Sequence, residues 1–221
     1  MKKKNKIFSI AIDGSSASGK TTGAKFISKK FNFKFLSSGK LYRYLSYKII
    51  QNKYNYDQKF ILYNSKNITL EKLNNNKNLY SPEITKIASI IAKKKYIRLA
   101  LKKFQLNFIK KNNKVIIEGR DIASKIIPNA NLKIFFKCSI KEKAKRRLNE
   151  FKKKNKHITI NEVEKSLKLR DFNDRNRKES PLLFVKGAVL VDTTNLSMKQ
   201  MEARLTKLVT KAIKNKKHGN L

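Results

Sequence analysis

Residues 7–22 read IFSIAIDGSSASGKTT, and this stretch decides the fold. The mostly apolar run Ile7 to Ile12 predicts a short buried strand. Gly14 to Thr21 then fits G-x-x-x-x-G-K-[ST], and Thr22 to Phe31 has the composition of a helix. Strand, glycine-bearing loop and helix together form the context in which this pattern binds a phosphate. Gly14 and Gly19 let the backbone wrap with its N–H groups inward, and the helix N-terminus adds positive partial charge. Lys20 can reach β- and γ-phosphates, and the Thr21 hydroxyl can take Mg²⁺. A flexible Ser/Gly linker is the plainer alternative. Against it, the chain has only seven glycines and two stand where the pattern requires them.

A chain of 221 residues with 40% hydrophobic side chains can bury one good core, with small lobes inserted. The single cysteine, Cys138, excludes an internal disulfide and a cysteine-based zinc site and suits a reducing compartment. It lies in an apolar run and reads as a buried small hydrophobe. His157 and His218 sit apart in Lys-rich stretches, without a partner at metal-ligand spacing, and read as surface residues. The basic start MKKKNK is followed by an apolar run too short for a secretory signal, and no stretch reaches membrane-span length. The expectation is a cytoplasmic protein without a membrane partner.

The net charge of +39 could mark a nucleic-acid binder. The lysines, however, are spread from end to end, and only nine of the 54 basic residues are arginine. General charge has gone to lysine. The arginines therefore mark positions that want a planar, bidentate fork.

Further along, Phe33–Leu36 predicts a strand and Leu41–Gln51 a helix. Residues 52–80 are polar and Asn-rich, with a weak strand signal at Ile68–Leu73. Ser81-Pro82-Glu83 opens a helix to about residue 93, and Tyr96–Lys110 is another. Val115–Glu118, Leu132–Phe136 and Ala188–Val191 predict strands. Ser139/Glu142 and Thr159/Glu162 have capping-box spacing, and Ser197/Gln200 caps the last helix, which frays from Lys214. Pro181 stops the helix that carries Arg170 and Arg177. Apolar strands alternating with helices indicate an α/β fold with a covered parallel sheet and a site at the strands' C-terminal ends.

Three more segments look chemical: SSGKLYR at 37–43, EGRD at 118–121 and RDFNDRNR at 170–177. Taken alone, the last reads as a solvated helix face with ion pairs. Yet five of the nine arginines and, counting the phosphate loop, four of the seven glycines fall in these places.

In order along the chain, IDG-x4-GKTT, SSG-x2-YR, IEGRDI, RD-x2-D-x2-R-x2-SPL and VDTTNLS resemble bacterial cytidylate kinases over nearly the whole chain. The resemblance implies a P-loop three-layer α/β sandwich with a small acceptor-binding insertion and a lid, in a single kinase domain. Its core would span about 5–50, 112–150 and 180–215, its acceptor lobe about 51–111 and its lid about 151–178. It implies transfer of the γ-phosphate of ATP to CMP or dCMP, with Mg²⁺. ATP would lie on Gly14, Ser15, Ser16, Ala17, Ser18, Gly19, Lys20, Thr21 and Thr22, with Arg146 and Arg147 nearby and Thr21 on the metal. The acceptor nucleotide would meet Ser38, Tyr42 and Arg43, then Ser89 and Arg98, then Arg120 and Asp121. Arg170, Asp174 and Arg177 would come from the lid. Lys20, Arg120, Arg170 and Arg177 would carry the transfer. The chain departs from the family pattern at Ser15, Ser37, Lys40, Tyr80, Ala123, Ser124 and Asn173.

The chemistry agrees. Transfer between two phosphates needs positioning and spread positive charge, and the acceptor, with a second pKa of about 6, needs no general base. Other acceptors stay open: UMP or GMP, or a hydroxyl compound with Asp121 as base. A basic nucleic-acid binder that uses a nucleotide as a switch is the reading of another class, and the dispersed lysines point away from specific nucleic acid. The expected partner is the small-molecule acceptor, and the expected state a monomer.

Overall fold

The computed structural model describes residues 7–54, 56–152 and 158–217. His157, His218 and most of the charged break at 152–157 lie outside them. The chain divides into two compact units: residues up to Phe35 together with those from Lys114 on, and Leu36–Asn113.

In the first unit, β1 (Phe8–Gly14) is buried throughout and pairs in parallel with β3 (Lys114–Gly119) and β4 (Leu132–Lys137). β5 (Ala188–Asp192) runs parallel to β4, and β2 (Lys34–Ser37) completes the order β2-β3-β1-β4-β5. Alternate residues Phe8, Ile10 and Ile12 of β1 face one core with Ile27 of α1 (Lys20–Phe31) and Leu205 and Val209 of α9 (Met198–Lys217). Each such buried aliphatic side chain contributes about 1.5–3 kcal/mol. α9 does not fray at Lys214: Lys216 donates to the Ile7 carbonyl at 2.7 Å and stacks over Phe8. Cys138 is buried and free.

α7 (Ile140–Lys152) and α8 (Ile160–Asn176) pack on a smaller cluster of Ala144, Val163 and Leu167. The Thr159/Glu162 capping box closes both ways, and so does the Ser197/Gln200 pair. The Ser139 box closes one way only. Ser139 Oγ accepts from the Glu142 N–H, but the Ser139 N–H goes to Thr194 and the Glu142 carboxylate turns to Arg146 one turn on. α8 ends at Asn176, ahead of Pro181.

The second unit is helical. α2 begins at Ser38, earlier than its apolar pattern suggests, and runs to Gln51. α3 (Gln58–Lys66), α4 (Leu70–Asn75) and a 3₁₀ turn (Lys77–Tyr80) fill the Asn-rich stretch. The strand signal at Ile68–Leu73 is overturned. Thr69 caps α4 by accepting from the Lys72 N–H, and Leu73 turns into the core. α5 (Pro82–Ile91) starts at Ser81 and Pro82 as expected, and α6 (Lys95–Lys110) follows.

Candidate active site

The loop between β1 and α1 is held from three sides within the first unit. The sheet itself requires a glycine at position 14: a Cβ there would come 2.5 Å from the Phe136 carbonyl oxygen on β4. Gly19, with φ +86°, supplies the left-handed step into α1. Ala17 takes a left-handed φ of 56° as well, and its methyl packs against the α7–α8 cluster.

Inside the loop, the Ser15 carbonyl accepts from both Ser18 Oγ (2.9 Å) and Lys20 Nζ (3.0 Å). Lys20 is buried, and burial, with Arg120 close by, lowers its pKa from 10.5 to about 7. Thr21 and Thr22 stand in the first turn of α1.

Arg120, just beyond β3, is the hub. It donates through Nε to Asp174 (2.7 Å), through Nη2 to Ser16 Oγ (3.0 Å) and through Nη1 to the Gly119 carbonyl. Burial would lower its pKa, but the Asp174 carboxylate outweighs that and raises it. Burial would raise the pKa of Asp174, but Arg120, Arg177 and Arg170 hold it below the ordinary carboxylate value. Arg177 reaches Asp174 at 3.4 Å and donates to the Ser180 carbonyl at 2.7 Å. Arg170, on α8, is close enough for its charge to act on both Lys20 and Asp174. The first unit thus gathers Lys20, Arg120, Arg170, Asp174 and Arg177 around the loop. Asp121 is buried beside them.

Arg146 braces the loop from the β5 side. It donates to Thr193 Oγ1 (3.1 Å) and to the Thr193 carbonyl (2.7 Å), while Thr193 Oγ1 donates to the Ser18 carbonyl (3.0 Å). Arg147 pairs with Glu150 and stacks over Phe151 on its own helix.

The remaining expected residues lie in the second unit. Ser38 is buried at the start of α2. Arg43 donates to the Gly39 carbonyl and lies over the Tyr80 ring, 4.9 Å from its centroid. Arg98, on α6, lies over Tyr42 at 5.6 Å and donates to the Ala92 carbonyl at the end of α5. Ser89 Oγ donates back to Thr85 one turn earlier.

Four contributors were not among the expected site residues. The Asp13 carboxylate accepts from the Ile122 and Ala123 N–H groups (2.9 and 2.8 Å), which fixes the chain after β3 against the end of β1. Burial raises its pKa to about 6, against the pull of those two bonds. Asp13 directly precedes the loop and Thr193 lies in VDTTNLS, so both stood in visible motifs without an assigned task. Asp171 and Lys143 form a buried ion pair at the loop. The Arg/Asp run of α8 signals the first; nothing separates Lys143 from its many lysine neighbours.

Among the described residues no three His, Cys, Asp or Glu side chains group as a metal cage. Mg²⁺ bound through one hydroxyl and substrate phosphate oxygens needs none, so Thr21 at the mouth of the loop fits that mode. No helix among the described residues is long and apolar enough to cross a membrane.

A family model described as Cytidylate kinase matches residues 10–211. The chain belongs to the cytidylate kinase family. Cytidylate kinases from Fusobacterium nucleatum and Mycoplasmoides gallisepticum are 40% and 34% identical to it. The first alignment covers 91% of this chain and 97% of the relative; the second covers 90% and 92%. The crystal structure of TT1252 from Thermus thermophilus has a TM-score of 0.54 at 13% identity, covering 93% of this chain and 97% of that one, and so shares the fold. This cytidylate kinase family member keeps the expected α/β architecture with a parallel sheet.

Proposed function

We propose that the chain transfers the γ-phosphate of ATP to CMP or dCMP, giving ADP and CDP or dCDP. The observation that carries this is the group of Lys20, Arg120, Arg170 and Arg177 around a phosphate loop, in a chain of this family. ATP occupies residues 14–22, and Thr21 would hold Mg²⁺, which would supply neutralisation of the phosphate charge. Lys20 recovers its proton when a triphosphate replaces the Ser15 carbonyl as its partner, because anionic oxygens favour the ammonium.

The Leu36–Asn113 unit supplies the acceptor lobe, with Ser38, Tyr42, Arg43, Ser89 and Arg98 toward CMP. Arg120 and Asp121 complete the acceptor side, and α8 with its flanks acts as the lid. The CMP phosphate attacks the γ-phosphorus, the bond to the bridging β–γ oxygen breaks, and ADP leaves. The acceptor is largely a dianion at neutral pH, so no carboxylate has to take a proton. The arginines spread the transferring charge, and lid closure keeps water from competing. The enzyme works as a cytoplasmic monomer on small molecules.

The test is ADP release with ATP, Mg²⁺ and, separately, CMP, dCMP, UMP, AMP and GMP at equal concentration. Turnover with CMP and dCMP well above the rest is expected. Preference for UMP, AMP or GMP, or turnover with none, overturns the acceptor assignment.

A further inference from the structure

The Ser15–Ser16 turn is gripped from α8 by a pair that phosphoryl transfer itself does not call for. Asp171 Oδ1 accepts from the Ser16 N–H at 3.0 Å. Its Oδ2 takes the Lys143 ammonium, which also reaches Ser15 Oγ at 3.4 Å. Both charged residues are buried, at 8% and 5% exposure. Ser15 in turn governs the donors of the loop, because its carbonyl accepts from Lys20 and Ser18. One turn along α8, Asp174 reaches the same place through Arg120 and Ser16 Oγ.

We propose that Asp171, braced by Lys143, is a positioning residue for the donor loop: it fixes the Ser15–Ser16 turn, so that ATP binding depends on α8 being docked. This rests on the reading of residues 14–22 as the ATP site. An exposed ion pair here would add little, but removing one partner of a buried pair strands the other charge. Deleting the carboxylate also leaves the Ser16 N–H without its acceptor, and the turn must then find another arrangement. Phosphate-binding amides act by being held ready before the ligand arrives, so a turn that wanders weakens the nucleotide. A purely structural pair would lower stability and leave the ratio of ATP to CMP affinity alone.

The test uses the full chain with Asp171→Ala, Asp171→Asn, Lys143→Met and the double variant Asp171→Ala/Lys143→Met. ATP and CMP affinities are measured separately by calorimetry, and amide exchange is followed over residues 14–18. Asp171→Ala should weaken ATP about tenfold or more, the loss expected for a charge-assisted hydrogen bond. CMP affinity should stay within about twofold, well under one hydrogen bond's worth. Ser16 exchange should rise. Asp171→Asn, which keeps an acceptor for the Ser16 N–H, should fall between it and the natural chain. The double variant should bind ATP no worse than Asp171→Ala alone. Unchanged ATP affinity with unchanged Ser16 exchange overturns the inference, and so does an equal loss for ATP and CMP. A natural chain that binds no ATP would overturn the ATP reading alone; Ser16 exchange in Asp171→Ala would still decide whether the carboxylate holds the turn.

Discussion

Around the phosphate loop, Arg120 and Arg177 are held by the Asp174 carboxylate. In the second unit, Arg43 and Arg98 lie over the rings of Tyr80 and Tyr42 and donate to carbonyl oxygens. The two arrangements suit different tasks. A carboxylate partner occupies the same N–H donors that a phosphate would, so binding a phosphate there is an exchange of one oxyanion for another. Stacking on a ring uses the flat face of the guanidinium and none of its five N–H donors, so it sets direction while leaving the choice of anion to the fork. On the proposed reading of the site, the loop side rearranges as charge moves and the second unit holds a fixed aim.

The largest effect that would break this contrast lies at Lys20. Lys20→Met should lower kcat by about 10³-fold or more, as expected for losing a cation on the transferring group. Near-normal kcat would remove the loop from the chemistry. The same variant should be more stable. Between pH 7 and 10.5 the unfolded chain binds a proton on Lys20 that the folded chain does not, since the folded pKa is about 7. The Lys20 contribution to the stability of the natural chain therefore rises with pH across that window. The advantage of Lys20→Met in a melting experiment should be greatest at pH 7 and below, and shrink as pH approaches 10.5. A constant advantage would contradict the lowered pKa.

Next comes Arg120→Lys, which keeps the charge and loses the fork that joins Asp174, Ser16 and the Gly119 carbonyl. A fall in kcat of about 10²-fold is expected, in line with removing one preorganised donor from a transition state. Full activity would mean that charge alone suffices there. On the second unit the effect should be smaller. Tyr80→Ala removes a stack worth about 0.5–1 kcal/mol at a partly exposed site, hence a rise in the CMP KM of about two- to fivefold. Tyr80→Phe should restore it, since the ring face is kept. If Phe fails to rescue, the hydroxyl and not the face is what matters.

The smallest effect belongs to Ala17→Gly. Relief of the left-handed backbone is worth about 1–2 kcal/mol. Against it stand the lost methyl contact on the α7–α8 cluster, about 0.8 kcal/mol, and the looser unfolded chain, about 0.4–1 kcal/mol. Thermal melting should show near-neutral stability. A large loss would reveal that the methyl matters more to α8 docking than its area suggests.

Much of this was legible in the sequence. Strand, loop and helix at residues 7–31 were readable because the spacing of Gly14, Gly19, Lys20 and Thr21 admits few other uses, and arginine stood out against a lysine-rich background. What escaped has physical reasons. Ile68 and Leu70 look like strand alternation until Thr69 is recognised as a cap and the i, i+3 spacing of Leu70 and Leu73 as helical. Glu142 had the spacing of a capping box, yet an arginine four residues on gave its carboxylate a better partner than a backbone N–H. Gly14 reads as a phosphate glycine, and the sheet adds a demand that no local pattern shows, from Phe136 on a neighbouring strand far away in sequence. Lys143 and Asp171 meet only because α7 and α8 pack on each other, and no local pattern marks one lysine among so many.

The most direct test of transfer between two phosphates is to follow ³¹P signals of the chain with ATP, Mg²⁺ and CMP. Equal appearance of ADP and CDP, without inorganic phosphate, is the predicted result. ADP accompanied by inorganic phosphate and unchanged CMP would contradict it.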